Sequence, residues 1–198
     1  DVIILGELIE ASLNIEEFDK AMFYAQVLAK VGKSSNDSQQ IGIALLFQSK
    51  ISTKKKLYAA GTKTLDTAFE HFQDIDDRKG MADVWFARSL IEHHRGDYLA
   101  LKNGLLKSAQ IASDAKDKER EIKALLYLSI MAHKNKQNKD KYSYLVQAEN
   151  KITSYQLPAY KLAIVALHYA YFAQQSSAKE PHFRRVLELT KQIPDMWS

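Results

Sequence analysis

The stretch MADVWFARSLIE (residues 81–92) comes back twice along the chain. It aligns with EIKALLYLSIMA (121–132) at an offset of 40 and with IGIALLFQSKIS (41–52) at minus 40. Leu45, Trp85 and Leu125 fall in one column. Ser49, Ser89 and Ser129 fall in another, a small residue where two helices can approach closely. Self-similarity at a fixed spacing of this size marks a repeat architecture, in which each repeat is one supersecondary unit that buries its apolar face against its neighbours.

Working outward from that window, aromatic residues mark a second segment in each repeat. Phe18, Tyr58 and Tyr98 are 40 apart, Tyr142 follows at 44, and Phe183 at 41 more. Three positions on stand Ala21, Gly61, Leu101, Leu145 and Val186, and ten positions on stand Leu28, Ala68, Ser108, Ile152 and Ile193. This register puts about four extra residues within KNKQNKDK, between the helices of the fourth repeat. Phe18, Ala21, Met22, Ala25 and Leu28 recur at helical spacing, as do Tyr58, Gly61, Leu65, Ala68, Phe69 and Phe72. Polar separators such as KSSNDSQ (33–39) and DIDDRKG (74–80) lie between the periodic runs. Asn36, Asp37 or Ser38 can cap a helix, and Pro158 and Pro181 suit helix first turns. The spacing leaves no room for strands.

Composition agrees. Gly (7) and Pro (3) are scarce in 198 residues, which argues against a chain of hairpins. The absence of cysteine excludes disulfides, thiolate metal sites and a cysteine nucleophile. The net charge of +4 is unevenly spread, with seven acidic against three basic residues in 1–40 and a basic second half. No basic run has the length of a nucleic-acid-binding tail; Lys54, Lys55, Lys56 and Lys134, Lys136, Lys139, Lys141 read as solvated inter-helix charge. No apolar stretch is long enough for membrane insertion. The chain lacks an initiator Met and begins inside what reads as a helix, so it is expected to be a piece of a longer protein.

In RSLIEHHRGDYLAL (88–101) the repeat resembles the tetratricopeptide family. Gly96, Asp97 and Tyr98 match the family's turn outright; Ser89 stands at its glycine and Leu101 at its alanine. Phe18 and Ala21 match in NIEEFDKA. Arg88 and Glu92 depart, standing where the family usually has leucine and tyrosine. The connector DIDDRKGMADVWF is similar to the link in the repeats of about 40 residues found in bacterial regulators such as the maltose-regulon activator, and in kinesin light chain. The resemblance implies an all-α, right-handed α-α superhelix of about five helix pairs. A single repeat domain is expected over 1–198, with repeats at about 1–36, 37–76, 77–116, 117–156 and 157–198. The integrin-like tripeptide Arg95-Gly96-Asp97 then has a local purpose: glycine ends one helix, Asp97 caps the next and Tyr98 packs into the pair.

Chemistry is hard to find. The six histidines show no H-E-x-x-H spacing, and adjacent His93 and His94 point about 100° apart on a helix, a poor chelating pair. No glycine-rich phosphate loop and no G-x-S-x-G occurs. The expectation is a non-catalytic protein without cofactor or metal. In the resemblance the first helix of each pair lines a concave groove. Positions six and three before the shared serine, and one and four after it, should face it. The candidates for partner binding are Lys50, Asp83, Phe86, Leu90, His93, Lys123, Leu126, His133 and Tyr171, with Ile43, Leu46, Ile130, Glu10 and Leu167 beside them. An apolar floor with Lys50 and Lys123 suits a peptide or partner protein carrying an acidic group. Such an array fits a sensor or interaction module of a bacterial signalling or transcription regulator in the cytoplasm. The alternatives are a periplasmic sensor domain of a membrane-anchored signalling protein, an array that binds a small effector or acts as a scaffold, and a homodimer formed through the terminal repeats, where Met196 and Trp197 offer apolar surface.

Overall fold

The computed structural model describes residues 2–173 and 176–191. Within them ten helices follow one another: α1 (Val2–Asn14), α2 (Phe18–Ser34), α3 (Ser38–Lys54), α4 (Tyr58–Asp74), α5 (Arg78–Arg95), α6 (Tyr98–Asp114), α7 (Lys118–Lys134), α8 (Asn138–Ser154), α9 (Ala159–Phe172) and α10 (Ser176–Thr190). They form successive antiparallel pairs, and no strand occurs among the described residues. The all-α helical repeat expected from the sequence is the fold found. The chain divides into two compact units, residues 1–120 and 121–198.

The joints between helices repeat more strictly than the helices' side chains do. Glu16, Asn36, Lys56, Asp76, Gly96, Lys116, Lys136 and Gln156 all have positive φ, and each comes twenty residues after the last. At these positions a helix ends in a left-handed residue, and its free carbonyls are taken up by the next two amides. Asn36 N donates to Lys33 O at 3.2 Å and Asp37 N to Gly32 O at 2.8 Å; Gly96 N donates to His93 O at 3.1 Å and Asp97 N to Glu92 O at 3.0 Å. The residue after the left-handed one then caps the following helix. Asp37, Asp77 and Asp97 accept from the amides of Gln40, Gly80 and Ala100 at 3.0, 3.0 and 2.9 Å. Asp97 is thus committed to the α6 N-terminus and Gly96, at φ 81°, to the α5 C-terminus. The Arg95-Gly96-Asp97 tripeptide is a helix joint, as its chemistry suggested.

The twenty-residue spacing corrects the register of the fourth repeat. α8 starts at Asn138, twenty residues after α7, so there are no extra residues between them. Asn138 holds the place of Tyr58 and Tyr98, and Tyr142 lies one turn further on. Positions i and i+4 share a helix face, which is why the aromatic misplaced the start. In the corrected register Lys141 stands in the column of Ala21, Gly61 and Leu101, and it is only 3% exposed. In the fifth repeat Phe183 lies well inside α10 and is 48% exposed rather than packed. Pro181 also lies inside α10, not in its first turn, while Pro158 is the N-cap of α9. Ile193, Met196 and Trp197 lie outside the described residues.

In the unit of residues 1–120, Ile9, Leu13, Ala21, Ala25, Leu28, Ala44 and Ile51 form one core cluster, and Leu65, Ala68, Phe72, Val84 and Ile91 another. Phe72 is the pin of the second. A methyl group built on Gly42 of α3 would stand 2.6 Å from its ring, and one on Gly80 of α5 would stand 2.3 Å from it. Both glycines are there because the ring occupies the space where side chains would be. In the unit of residues 121–198, Ile122, Leu145, Ile152, Val165 and Phe172 form the core. The serine column closes helix pairs through hydrogen bonds twelve residues apart. Ser49 Oγ donates to Gly61 O at 3.0 Å and Ser129 Oγ to Lys141 O at 2.7 Å. Ser89 instead donates within its own helix, to Trp85 O at 2.8 Å.

Candidate functional site

The nine candidate residues sit on α3, α5, α7 and α9, and none is fully buried. Lys50, Lys123 and Tyr171 are exposed, and Asp83, Phe86, Leu90, His93, Leu126 and His133 are half-buried. Their neighbours one step round each helix are different. Ala44, Ile51, Val84 and Ala124 are completely buried, and Ile91 and Met131 nearly so. A helix that turns one apolar stripe inward and keeps a second apolar stripe half-open has surface left over after folding.

In the unit of residues 1–120 the candidate charges are already answered. Lys50 Nζ lies 2.6 Å from both carboxylate oxygens of Glu10. Glu10 stands forty residues earlier in the same column, so the repeat alignment itself could have shown the pair. Asp83 receives Nε and Nη2 of Arg120 at 3.0 and 2.8 Å, a two-pronged contact that holds the guanidinium charged more firmly than usual. Arg120 also reaches Asp117 at 2.6 Å. Burial pushes the Asp117 carboxyl up, but the amide and guanidinium of Arg120 together outweigh it and hold it low. Arg88, where the family has leucine, lies over the rings of Trp85 and Phe69 at 4.9 and 5.4 Å and pairs with Asp66 at 2.7 Å. It covers apolar surface with its stem while keeping its charge paired. His94, adjacent to the candidate His93, stacks on Tyr58 at 6.0 Å.

In the unit of residues 121–198 the structure brings two candidates together. His133 of α7 meets Tyr171 of α9 edge-on at 5.1 Å and stacks on Phe172 at 4.6 Å. Burial, helped by Lys141, holds the His133 imidazole below the usual histidine range. Lys141, expected from the sequence to be a solvated inter-helix charge, is instead a buried residue of α8. Its ammonium lies over the rings of Tyr142 at 4.8 Å and Phe172 at 5.6 Å, so aromatic faces carry the charge. Two carboxylates of this unit are tied down elsewhere. Glu121 pairs with Lys151 at 2.8 Å and accepts from Tyr155 Oη at 2.6 Å. Glu149 pairs with Arg185 and accepts from Tyr169 Oη at 3.3 Å. Burial first, and then Glu149, push the Tyr169 hydroxyl up to about 12.

Among the described residues no three His, Asp or Glu side chains come together in a way that could hold a metal ion. No described helix is long and apolar enough to cross a membrane. A shallow depression of about 500 Å³ lies at the α1–α2 joint, walled by Glu16, Glu17, Phe18, Asp19, Lys20 and Lys55. Its charges are largely paired, Lys20 with Glu17 and Lys55 with Asp19, both at 3.0 Å, and none of the nine candidates lines it.

No protein-family model matches the chain, and no curated protein matches its sequence. Among solved structures it is similar to a Rap protein complexed with competence and sporulation factor, with a TM-score of 0.74 at 12% sequence identity. The similarity covers 96% of this chain and 53% of that one, so the chain spans about half of that protein's length. At this identity the likeness is one of fold: a tetratricopeptide-like helical repeat.

Proposed function

We propose that the chain is a non-catalytic interaction module that binds a peptide or partner protein on the half-open faces of its first helices. One observation carries this reading: apolar residues beside fully buried columns remain accessible, from Phe86 and Leu90 on α5 to Leu126 and Tyr171 on α7 and α9. In each unit such apolar residues, half-open beside buried ones, are surface left over after folding. The similar Rap structure holds a bound factor, which supports a binding role for this fold. Lys50, Asp83, Phe86, Leu90 and His93 form the proposed contact set of the first compact unit; Lys123, Leu126, His133 and Tyr171 form that of the second. The module serves a regulator, bacterial and cytoplasmic, whose output lies in another segment or protein.

A second copy of the chain is the alternative occupant. Ile3, Ile4 and Leu8 on α1 are 71%, 54% and 40% exposed, and Phe183 and Leu187 on α10 are 48% and 62% exposed. One experiment addresses both readings. A photo-crosslinking phenylalanine analogue is placed at Phe86, at Tyr171 and, as control, at Phe23 of α2, which is 59% exposed but outside the stripe. After irradiation in native lysate, adducts are identified by mass spectrometry. One partner captured from positions 86 and 171 but not 23, and lost with Leu90→Asp, is the expected result. Capture of the chain by itself would establish the second copy. Equal capture from position 23, or none from 86 and 171, would sink the binding-face assignment.

A further inference from the structure

The compact unit of residues 1–120 carries one helical glycine that packing does not explain, and it lies on the candidate face. A methyl carbon added at any other helical glycine would stand 3.3 Å or less from a neighbouring atom. At Gly6 of α1 the nearest atoms would be Cζ and Cε2 of Phe47, at 3.7 and 3.9 Å, an ordinary van der Waals contact. Gly6 sits inside α1 and has no positive φ, so no turn requires it. Glycine in a helix interior is disfavoured relative to alanine, so here it weakens α1 without a gain in packing. Its place is informative. Gly6 shares a helix face with Glu10, and α3 packs beside both α1 and α5. At offsets of 40 and 80 the column of Gly6 holds Leu46 and Phe86, both half-buried. Where α3 and α5 present a bulky apolar side chain, α1 presents a notch with the tip of Phe47 as its wall.

The charges of this face are closed in pairs, all within the same unit. Lys50 Nζ lies 2.6 Å from both carboxylate oxygens of Glu10, and Arg120 grips Asp83 with Nε and Nη2. A charged group arriving here would have to displace an existing partner, and an exchange of one ion pair for another brings little net gain. An uncharged apolar group displaces nothing. It gains by covering Leu46 and Phe86 and by filling the space at Gly6.

We infer that the face of this unit accepts an uncharged apolar segment of the partner, with one bulky side chain, a leucine or an aromatic ring, seated in the notch at Gly6. This rests on the binding reading above and gives it an anchor: the segment is selected here for size rather than for charge.

The test uses the full chain, uniformly labelled with ¹⁵N. Four pools of acetylated, amidated hexapeptides are titrated against it: Leu and Phe with Ser, Ala with Ser, Leu and Phe with Asp, and Leu and Phe with Lys. Capped ends leave side chains as the only charges. The Leu/Phe/Ser pool should shift amides around Gly6, Leu46 and Phe86 and bind about tenfold more tightly than the Ala/Ser pool, with neither charged pool binding more tightly than it. Gly6→Ala should then weaken the Leu/Phe/Ser pool by about tenfold. Its thermal midpoint should not fall, because the methyl has room. A lower midpoint would make Gly6 a packing residue and overturn the notch. Unchanged affinity in Gly6→Ala, with shifts still at Leu46 and Phe86, would overturn the notch and leave the binding reading standing. Tighter binding of the Asp or Lys pool would overturn the selection for an uncharged segment, again without touching the binding reading. No shift on α3 or α5 with any pool would overturn both for this unit.

Discussion

Replacing Gly80 by alanine should destabilise the first compact unit, although helix propensity alone says the opposite. Alanine in a helix interior is favoured over glycine by about 1 kcal/mol. Against this, the new methyl would stand 2.3, 2.5 and 2.5 Å from Cδ1, Cε1 and Cγ of Phe72, where carbon atoms normally rest at about 3.5–4.0 Å. The ring has no easy retreat. It is 1% exposed, and on its other side a methyl on Gly42 would lie 2.6 Å from Cζ, so that helix is equally close. Overpacking a closed site costs about 1–3 kcal/mol, and an overlap of more than 1 Å with three ring atoms belongs at the upper end. The net expectation is a loss of about 1–2 kcal/mol once the propensity gain is subtracted. Urea unfolding followed by Trp85 fluorescence, in a Trp197→Phe background so that one indole reports, measures it. The decisive comparison is a cycle with Phe72→Leu. The smaller side chain leaves a void in the parent but makes room in Gly80→Ala, so the double variant should be more stable than the sum of the single losses by about 1 kcal/mol or more. Gly80→Ala as stable as the parent, or strict additivity, would refute the wedge.

Two further outcomes follow from the joints and from His133. Lys136 at φ 58° and Lys116 at φ 55° hold a backbone shape that costs a side-chain-bearing residue about 1 kcal/mol, so Lys136→Gly should raise the thermal midpoint and Gly96→Ala, at φ 81°, should lower it. The same sign for both substitutions in a melting experiment would contradict this. His133 has its pKa lowered in the fold, so the unfolded chain takes up its proton first as pH falls. Its contribution to stability is complete above the ordinary histidine value of about 6.5 and declines below it until the folded pKa is reached. Urea midpoints at pH 7.5 and 5.5 should differ less in His133→Gln than in the parent; an unchanged pH dependence would remove His133 from that account.

The helical repeat was legible because packing restricts a few columns severely. Ser49, Ser89 and Ser129 mark places where backbones approach, and Ile51 and Ile91 beside them are buried in every turn of the repeat. Register was less legible where the marker was an aromatic residue alone, since Tyr142 presents the same face as a residue at position 138 would. The regularity that governs the chain, one left-handed residue every twenty, is invisible to a search for similar side chains. Glu, Asn, Lys, Asp, Gly and Gln all fill that position, and what they share is backbone shape and exposure. For the candidate face, sequence spacing named residues that are exposed or half-buried, but not which charges cancel. Glu10 and Lys50 share a column and were readable in principle. Asp83 and Arg120, 37 residues apart and on different helical phases, become partners only when the helices are placed.

The joint that closes one helix and opens the next makes the chain a material of fixed pitch. Because Asp37, Asp77 and Asp97 finish one helix through their amides and start another through their carboxylates, length cannot be gained or lost one residue at a time. A single insertion in α4 would turn everything after it by about 100° relative to its joint and carry Phe72 away from its two glycines. A block of forty residues, cut at equivalent joints, leaves the caps and the serine columns in step on both sides. Change by whole modules is therefore the permitted route for growth and shrinkage, and the faces between joints are free to vary.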